Sequence, residues 1–163
     1  MARRVFFSFQ YELDLWRANV VLNAWVGQDR EAAGFWDAAQ WEEAKRFGDD
    51  AIRRTIDQGL ENTTVTAVLI GAETAGRPWV LYEIQKSYER GNGLLGVYLN
   101  EIRDQYGFTD IMMGPNPFKR LYIQESGKMK WMSDIYPSYS WVKEHGEQNF
   151  NTWVEAAAKA AGR

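Results

Sequence analysis

The sequence predicts an α/β protein with a doubly wound, mainly parallel sheet and helices on both faces. Three observations predict it. Two apolar runs, RRVFFSF (residues 3–9) and TVTAVLIG (64–71), lack alternation, as strands covered on both faces do. Stretches of helical periodicity follow each of them. The joins between strand and helix are short, which implies right-handed crossovers.

Taken in order, residues 3–9 form the first strand, and LDLWRANVVLNAWV (13–26) follows with Leu15, Ala18, Val21, Leu22 and Trp25 at helical spacing. Residues 27–50 are polar and broken by Gly34 and Gly48, which predicts a long connection with a short helical turn near Trp41 and no clear strand. Asp49 or Asp50 then caps a helix marked by Ile52, Ile56 and Leu60, with Gly59 or Asn62 near its end. Residues 64–71 are the clearest strand. After the loop AETAGR comes a helix from Pro78 to about Arg90, with proline at the first position and Val80, Ile84, Ser87 and Tyr88 in helical register. LLGVYLN (94–100) is the next strand. Beyond Asn100 the pattern degrades: residues 101–120 read as irregular loop, LYIQ and KMKWMSDI as short strands, and NFNTWVEAAAKAAGR (149–163) as a closing helix. Residues 1–163 are expected to form a single domain, a length that buries about two thirds of its extended surface.

Composition excludes several classes of function. A net charge of −3 and a pI near 5.3 argue against a partner tracked through phosphates, so no nucleic acid is expected. The absence of cysteine removes disulfides, thiolate nucleophiles and zinc–thiolate sites. A lone histidine, His145, makes no metal site, and in VKEHGEQ it reads as the last residue of a helix before Gly146. No run approaches the ~20 apolar residues of a membrane span, so no membrane is expected and a cytoplasmic location is the default. Aromatic residues reach 15% with eight tryptophans, enough to fill a core and leave some for stacking on a ligand.

GNGLLG (91–96) spells the G-x-G-x-x-G of a dinucleotide-binding turn, but here the glycines close a helix and enter a strand, the reverse of that motif. In a doubly wound sheet the ligand cleft lies beyond the carboxyl ends of the strands, which draws attention to residues 8–14 and 72–83. A flavin-phosphate loop would need more than Ser8 there, a phosphoacceptor would need paired acids, and a P-loop is missing. Glu83, in WVLYE, falls at the margin of the buried stripe of Val80 and Ile84, with Trp79 one turn earlier on the same side. It reads either as a solvated charge paired with Lys86 or Arg77, or as a partly shielded carboxylate kept ionised by the helix dipole. An ionised carboxylate there suits the stabilisation of positive charge on a sugar as a glycosidic bond breaks. A leaving group that departs neutral needs no proton, so one glutamate suffices for such a bond. Phe9, Tyr11, Trp36 and Trp41 are core or stacking aromatics. Asp14 and Asp37 are helix caps or ligand contacts, with caps favoured, and EEAKR is a solvated face.

Together, RRVFFSFQYELDLWRANVV, GFWDAAQWEEAK, the block NTTVTAVLIGAETAGRPWVLYEIQKSYERGNGLLGVYLN, GPNPF and SDIYPSYSWV resemble the bacterial TIR-like family that includes the TIR component of the Thoeris anti-phage defence system. The similarity covers nearly the whole chain in order. It implies a flavodoxin-like TIR fold and an enzyme for which NAD+ is substrate rather than cofactor, with no metal. Cleavage of the nicotinamide–ribose bond would be followed by cyclisation of the ADP-ribose part into a signal for a separate effector protein. A phage-derived trigger and self-association are implied as well. By the same resemblance Glu83, in W-x-x-x-E with Trp79, matches the catalytic glutamate. Ser8, Phe9, Gln10 and Tyr11 fall on the loop that lines the nucleotide pocket, and Asp37 to Trp41 on a loop facing it. Family members often read FSFHY where this chain has Gln10, a departure that bears on ligand orientation and on the product isomer. The alternative is a TIR domain that acts as an interaction module without turnover.

Overall fold

The computed structural model of the chain describes residues 3–26, 30–36 and 38–163. Strand and helix alternate through β1 (Arg4–Ser8), α1 (Tyr11–Val26), β2 (Glu31–Ala33), α2 (Ala38–Phe47), α3 (Asp49–Leu60), β3 (Val65–Ile70), α4 (Pro78–Glu89) and β4 (Gly93–Tyr98). A hairpin, β5 (Tyr122–Glu125) with β6 (Lys128–Trp131), then precedes the short β7 (Ser138–Ser140) and α5 (Gly146–Ala160). The main sheet is parallel throughout, in the order β2-β1-β3-β4-β7. The chain leaves β1 toward β2 and returns past it to β3, and that reversal of direction opens a crevice at the carboxyl end of β1.

Both faces of the sheet are covered, which is why β1 and β3 carry apolar residues without alternation. Val5, Phe7, Val65, Ala67 and Leu69 pack with Ala18, Val21 and Trp25 of α1 and with Phe150, Trp153 and Val154 of α5. On the opposite face Phe6 meets Ile52, Ile56 and Leu60 of α3, while Val68, Ile70 and Leu94 meet Val80 and Ile84 of α4.

Several local expectations are corrected. The 27–50 stretch contains β2, an edge strand of three residues with only Ala33 buried, and α2 is a ten-residue helix rather than a turn. Asp49 and Asp50 lie inside the first turn of α3, behind Gly48 at the N-cap, where their charges meet the positive end of the helix. His145 stands at the N-cap of α5 with φ 55°, before a helix and not at the end of one. LYIQ and KMKW do form strands, but they pair with each other outside the main sheet. The fifth strand of that sheet is the Ser-Tyr-Ser of β7.

The glycines of 91–96 serve packing. Gly91, with φ 80°, ends α4 in a Schellman motif, in which Asn92 N–H donates to the Ser87 carbonyl and Gly91 N–H to that of Tyr88, both at 3.0 Å. A side chain at Gly93 would run into the backbone carbonyl of Ala157 in α5.

Candidate active site

Strand alternation points Ser8, the last residue of β1, toward the same face as Phe6, the face against which α4 packs. On α4 the buried positions are Val80, Glu83, Ile84 and Ser87, an i, i+3, i+4, i+7 stripe in which Glu83 is a full member and not a marginal one. The two elements therefore bring a hydroxyl and a carboxyl together in the interior. Ser8 Oγ donates to Glu83 Oε1 at 2.9 Å, with Ser8 0% and Glu83 5% exposed. The expected surface pairings of Glu83 are not made: Lys86 pairs with Glu89 at 3.5 Å and Arg77 with Glu73 at 3.7 Å. Burial pushes the Glu83 carboxyl well above the ordinary range, and the Ser8 hydrogen bond opposes that rise. Glu83 is the sixth residue of α4, beyond the first turn where the helix dipole acts, so dipole support for its charge gives way to desolvation.

A pocket of about 180 Å³ opens beyond β1, with Glu83 in its wall. Phe9, Gln10 and Tyr11 line it from the segment after β1, Trp36 and Trp41 from around the start of α2, and Trp79 and Val80 from α4. Trp36 and Trp41 stack at 5.6 Å with 20° between their planes, and Tyr11 leans on Trp41 at 6.3 Å. The Trp41 indole N–H is buried without a hydrogen-bond partner, a cost that a ligand acceptor or a water would remove. Three charged residues complete the lining: Glu12, Lys45 and Arg77. Lys45 is held by Glu12 at 2.9 Å and Glu42 at 3.0 Å, while Arg77 has the looser pair with Glu73.

Of the residues singled out in the sequence, Phe9, Gln10, Tyr11, Trp41, Trp79 and Glu83 thus converge on one pocket. Ser8 lies behind that wall, bonded to Glu83. Asp37 falls outside the described residues. Lys45 was not foreseen, and Arg77, inside the 72–83 stretch, was read only as a surface partner of Glu83 and not as a pocket residue. EEAKR has the look of a solvated face, and the one available signal for Arg77 was its place directly before the proline that starts the WVLYE helix. No group of three or more His, Asp or Glu side chains that could hold a metal ion is found among the described residues.

Asp14 is not a cap. It is the fourth residue of α1, 4% exposed, and Thr74 Oγ1 donates to its Oδ2 at 3.4 Å. Burial raises its pKa to about 6, against the opposing pull of Arg17. Between the unfolded value of 3.8 and about 6 the folded state therefore keeps a proton that the unfolded chain has shed, so stability falls as pH rises through that window. Asp14→Asn is expected to remove this fall and to gain up to about 3 kcal/mol above pH 6.5, read from denaturation midpoints of variant and wild type between pH 4 and 8. Parallel midpoints at all pH values would contradict it.

A parallel sheet reversing direction at β1, with a buried glutamate under an aromatic pocket at the reversal, defines an α/β domain of the flavodoxin-like TIR type. The family model described as "Thoeris protein ThsB, TIR-like domain" matches residues 6–104, and the chain belongs to that family. The match runs from within β1 through β4 and includes Glu83. The chain is also 39% identical to "Putative cyclic ADP-D-ribose synthase ThsB1" of Bacillus cereus (strain MSX-D12), over 94% of this chain and 100% of that protein. Among the described residues no helix is long and apolar enough to cross a membrane.

Proposed function

We propose that this chain cleaves NAD+ at the nicotinamide–ribose bond and closes the ADP-ribose part into a cyclic signal. The observation that carries the reading is Glu83: a carboxyl buried in the wall of an aromatic pocket at the sheet's reversal point, in a chain 39% identical to a protein named for cyclic ADP-D-ribose synthesis. In the reaction the C–N bond breaks with its electron pair going to nicotinamide, which departs neutral. The ribosyl carbon left behind carries positive charge, and an ionised Glu83 beside it stabilises that charge in a site shielded from water. A nucleophilic atom of the adenosine half then forms the new bond to that carbon; a ribose hydroxyl in that role releases its proton to solvent, whereas an adenine ring nitrogen attacks through its lone pair and has none to lose. The ring closes only if the two halves are folded together, a task suited to the Trp36–Trp41 stack and Tyr11.

The resemblance supports the rest of the setting: a cytoplasmic enzyme triggered by a phage component, whose product acts on a separate effector. The test is mass spectrometry of nucleotides after incubation of concentrated protein with NAD+, alone and in lysate of phage-infected cells. Nicotinamide together with a cyclic ADP-ribose isomer supports the proposal. NAD+ bound but never cleaved in either setting supports the interaction module, for which Tyr106, Phe108, Ile111, Met112 and Met113 supply an exposed apolar segment.

The pyrophosphate of NAD+ needs cations, and Arg77 and Lys45 are the two that line the pocket. Arg77→Ala is expected to raise KM for NAD+ about tenfold with kcat within about twofold. Lys45→Ala should do less, because Lys45 is already committed to Glu12 and Glu42. Steady-state nicotinamide release measures both, and an unchanged KM in Arg77→Ala would remove this residue from the binding set.

A further inference from the structure

We infer that Ser8 is a positioning residue for Glu83: its hydroxyl fixes Oε1, turns Oε2 toward the reacting ribose, and acts on the reaction through the carboxylate without touching substrate. The inference rests on the reading of Glu83 given above. A serine ending a strand of Val, Phe and Phe is an anomaly, since a buried hydroxyl without a partner costs stability. Its partner is Glu83, and among the described residues Ser8 is the side chain that donates to that carboxyl. Ser8 does not line the pocket, so its hydroxyl is not offered to a ligand.

A hydroxyl donates to an ionised carboxylate and so favours the charged form. Among the described residues the Trp41 indole N–H of the same pocket is without a partner and so is not bonded to Glu83, while the cations and hydroxyls nearby are engaged elsewhere. Lys45 is engaged by Glu12 and Glu42, Arg77 by Glu73, and Lys86 by Glu89. Tyr82, on α4 itself, donates to Asp57 of α3, and Tyr11 packs on Trp41. From β3 and β4 the neighbours of α4 are Val68, Ile70 and Leu94, with Thr66 bonded to Ser87. Ser8 is therefore the group whose hydrogen bond favours the ionised form of Glu83 against burial.

Ser8→Ala removes the oxygen and little volume. A hydrogen bond to a charged group is worth enough to move a pKa by about 1–2 units. The acid limb of the kcat/KM profile is expected to move up by that amount. On the acid side of the wild-type limb kcat should fall about 10–100-fold, with KM changed less than threefold. A second readout needs no turnover: the 13C resonance of the Glu83 carboxyl, assigned by its loss in Glu83→Gln and titrated in wild type and Ser8→Ala, should show the same upward move. Coincident titration midpoints in the two proteins overturn the inference, as does a profile that drops without shifting. If the midpoint moves but wild type never releases nicotinamide, Ser8 keeps its hold on Glu83 and the proposed NAD+ chemistry fails instead.

Discussion

Glu83→Gln lowers kcat for nicotinamide release by about 100–1,000-fold, and at the same time raises the thermal midpoint of the free protein. Both effects follow from one geometry. The amide keeps the shape of the side chain and still accepts from Ser8 Oγ, so the pocket stays built. What it lacks is negative charge at the moment the ribosyl carbon turns positive, and a missing charge at a largely buried position costs ~10²–10³-fold for a single group. The stability gain has the opposite origin. Burial raises the Glu83 carboxyl above its ordinary 4.5, so above that pH the unfolded chain sheds a proton that the folded chain retains. Stability falls with rising pH until the folded group ionises, and glutamine removes the whole dependence. Melting curves at pH 5 and pH 8 should therefore separate the two proteins more at the higher pH. A variant that loses activity without gaining stability would mean that Glu83 is not desolvated. One that gains stability but still releases nicotinamide at the wild-type rate would take the chemistry away from this residue.

That tension between buried charge and function explains why the site was only partly legible. The residue types were readable. WVLYE offers a tryptophan and a glutamate at one-turn spacing, and FSFQY supplies a polar break with aromatics after a buried strand. Depth was not. A glutamate one turn from Lys86 and six residues after Arg77 looks like a surface charge, and only the packing of α4 on β1 shows that it sits in the interior. The pocket positions of Lys45 and Arg77 were missed for the converse reason: cations in polar stretches carry no sign of what faces them in space.

The fold divides along the same line. β1, β3, α4 and β4 were readable because burial on both faces, or on one stripe, forces a periodic apolar pattern onto the sequence. The edges of the sheet feel no such demand. β2 buries one residue of three and β7 is Ser-Tyr-Ser, so parallel pairing with β1 and β4, not residue type, makes them strands. In α2, Ala44 is buried while Trp41 turns toward the pocket, which leaves a helix with almost no apolar stripe to see.

Gly93→Ala is expected to lower stability by about 3 kcal/mol while leaving KM for NAD+ unchanged. Gly93 opens β4 opposite Val65, in a conformation that any residue adopts, so backbone freedom is not the issue. A β-carbon there would collide with the carbonyl of Ala157 and lie 2.9 Å from Ala158 N, and these are backbone atoms that no rotamer change can move aside. α5 would have to shift as a body, although Phe150, Trp153, Val154, Ala157 and Ala158 hold it in the core. In a chain of this size that corresponds to a fall in the thermal midpoint of about 6–12 °C. The same substitution discriminates between two meanings of GNGLLG. In a phosphate-binding turn the added methyl would block the approach of pyrophosphate to the backbone and raise KM with little effect on melting. Here the pocket lies at the carboxyl end of β1, and Gly93 is at the amino end of β4, so the damage should appear in the melting curve alone. A raised KM with an unchanged midpoint would restore the nucleotide-binding meaning of the motif.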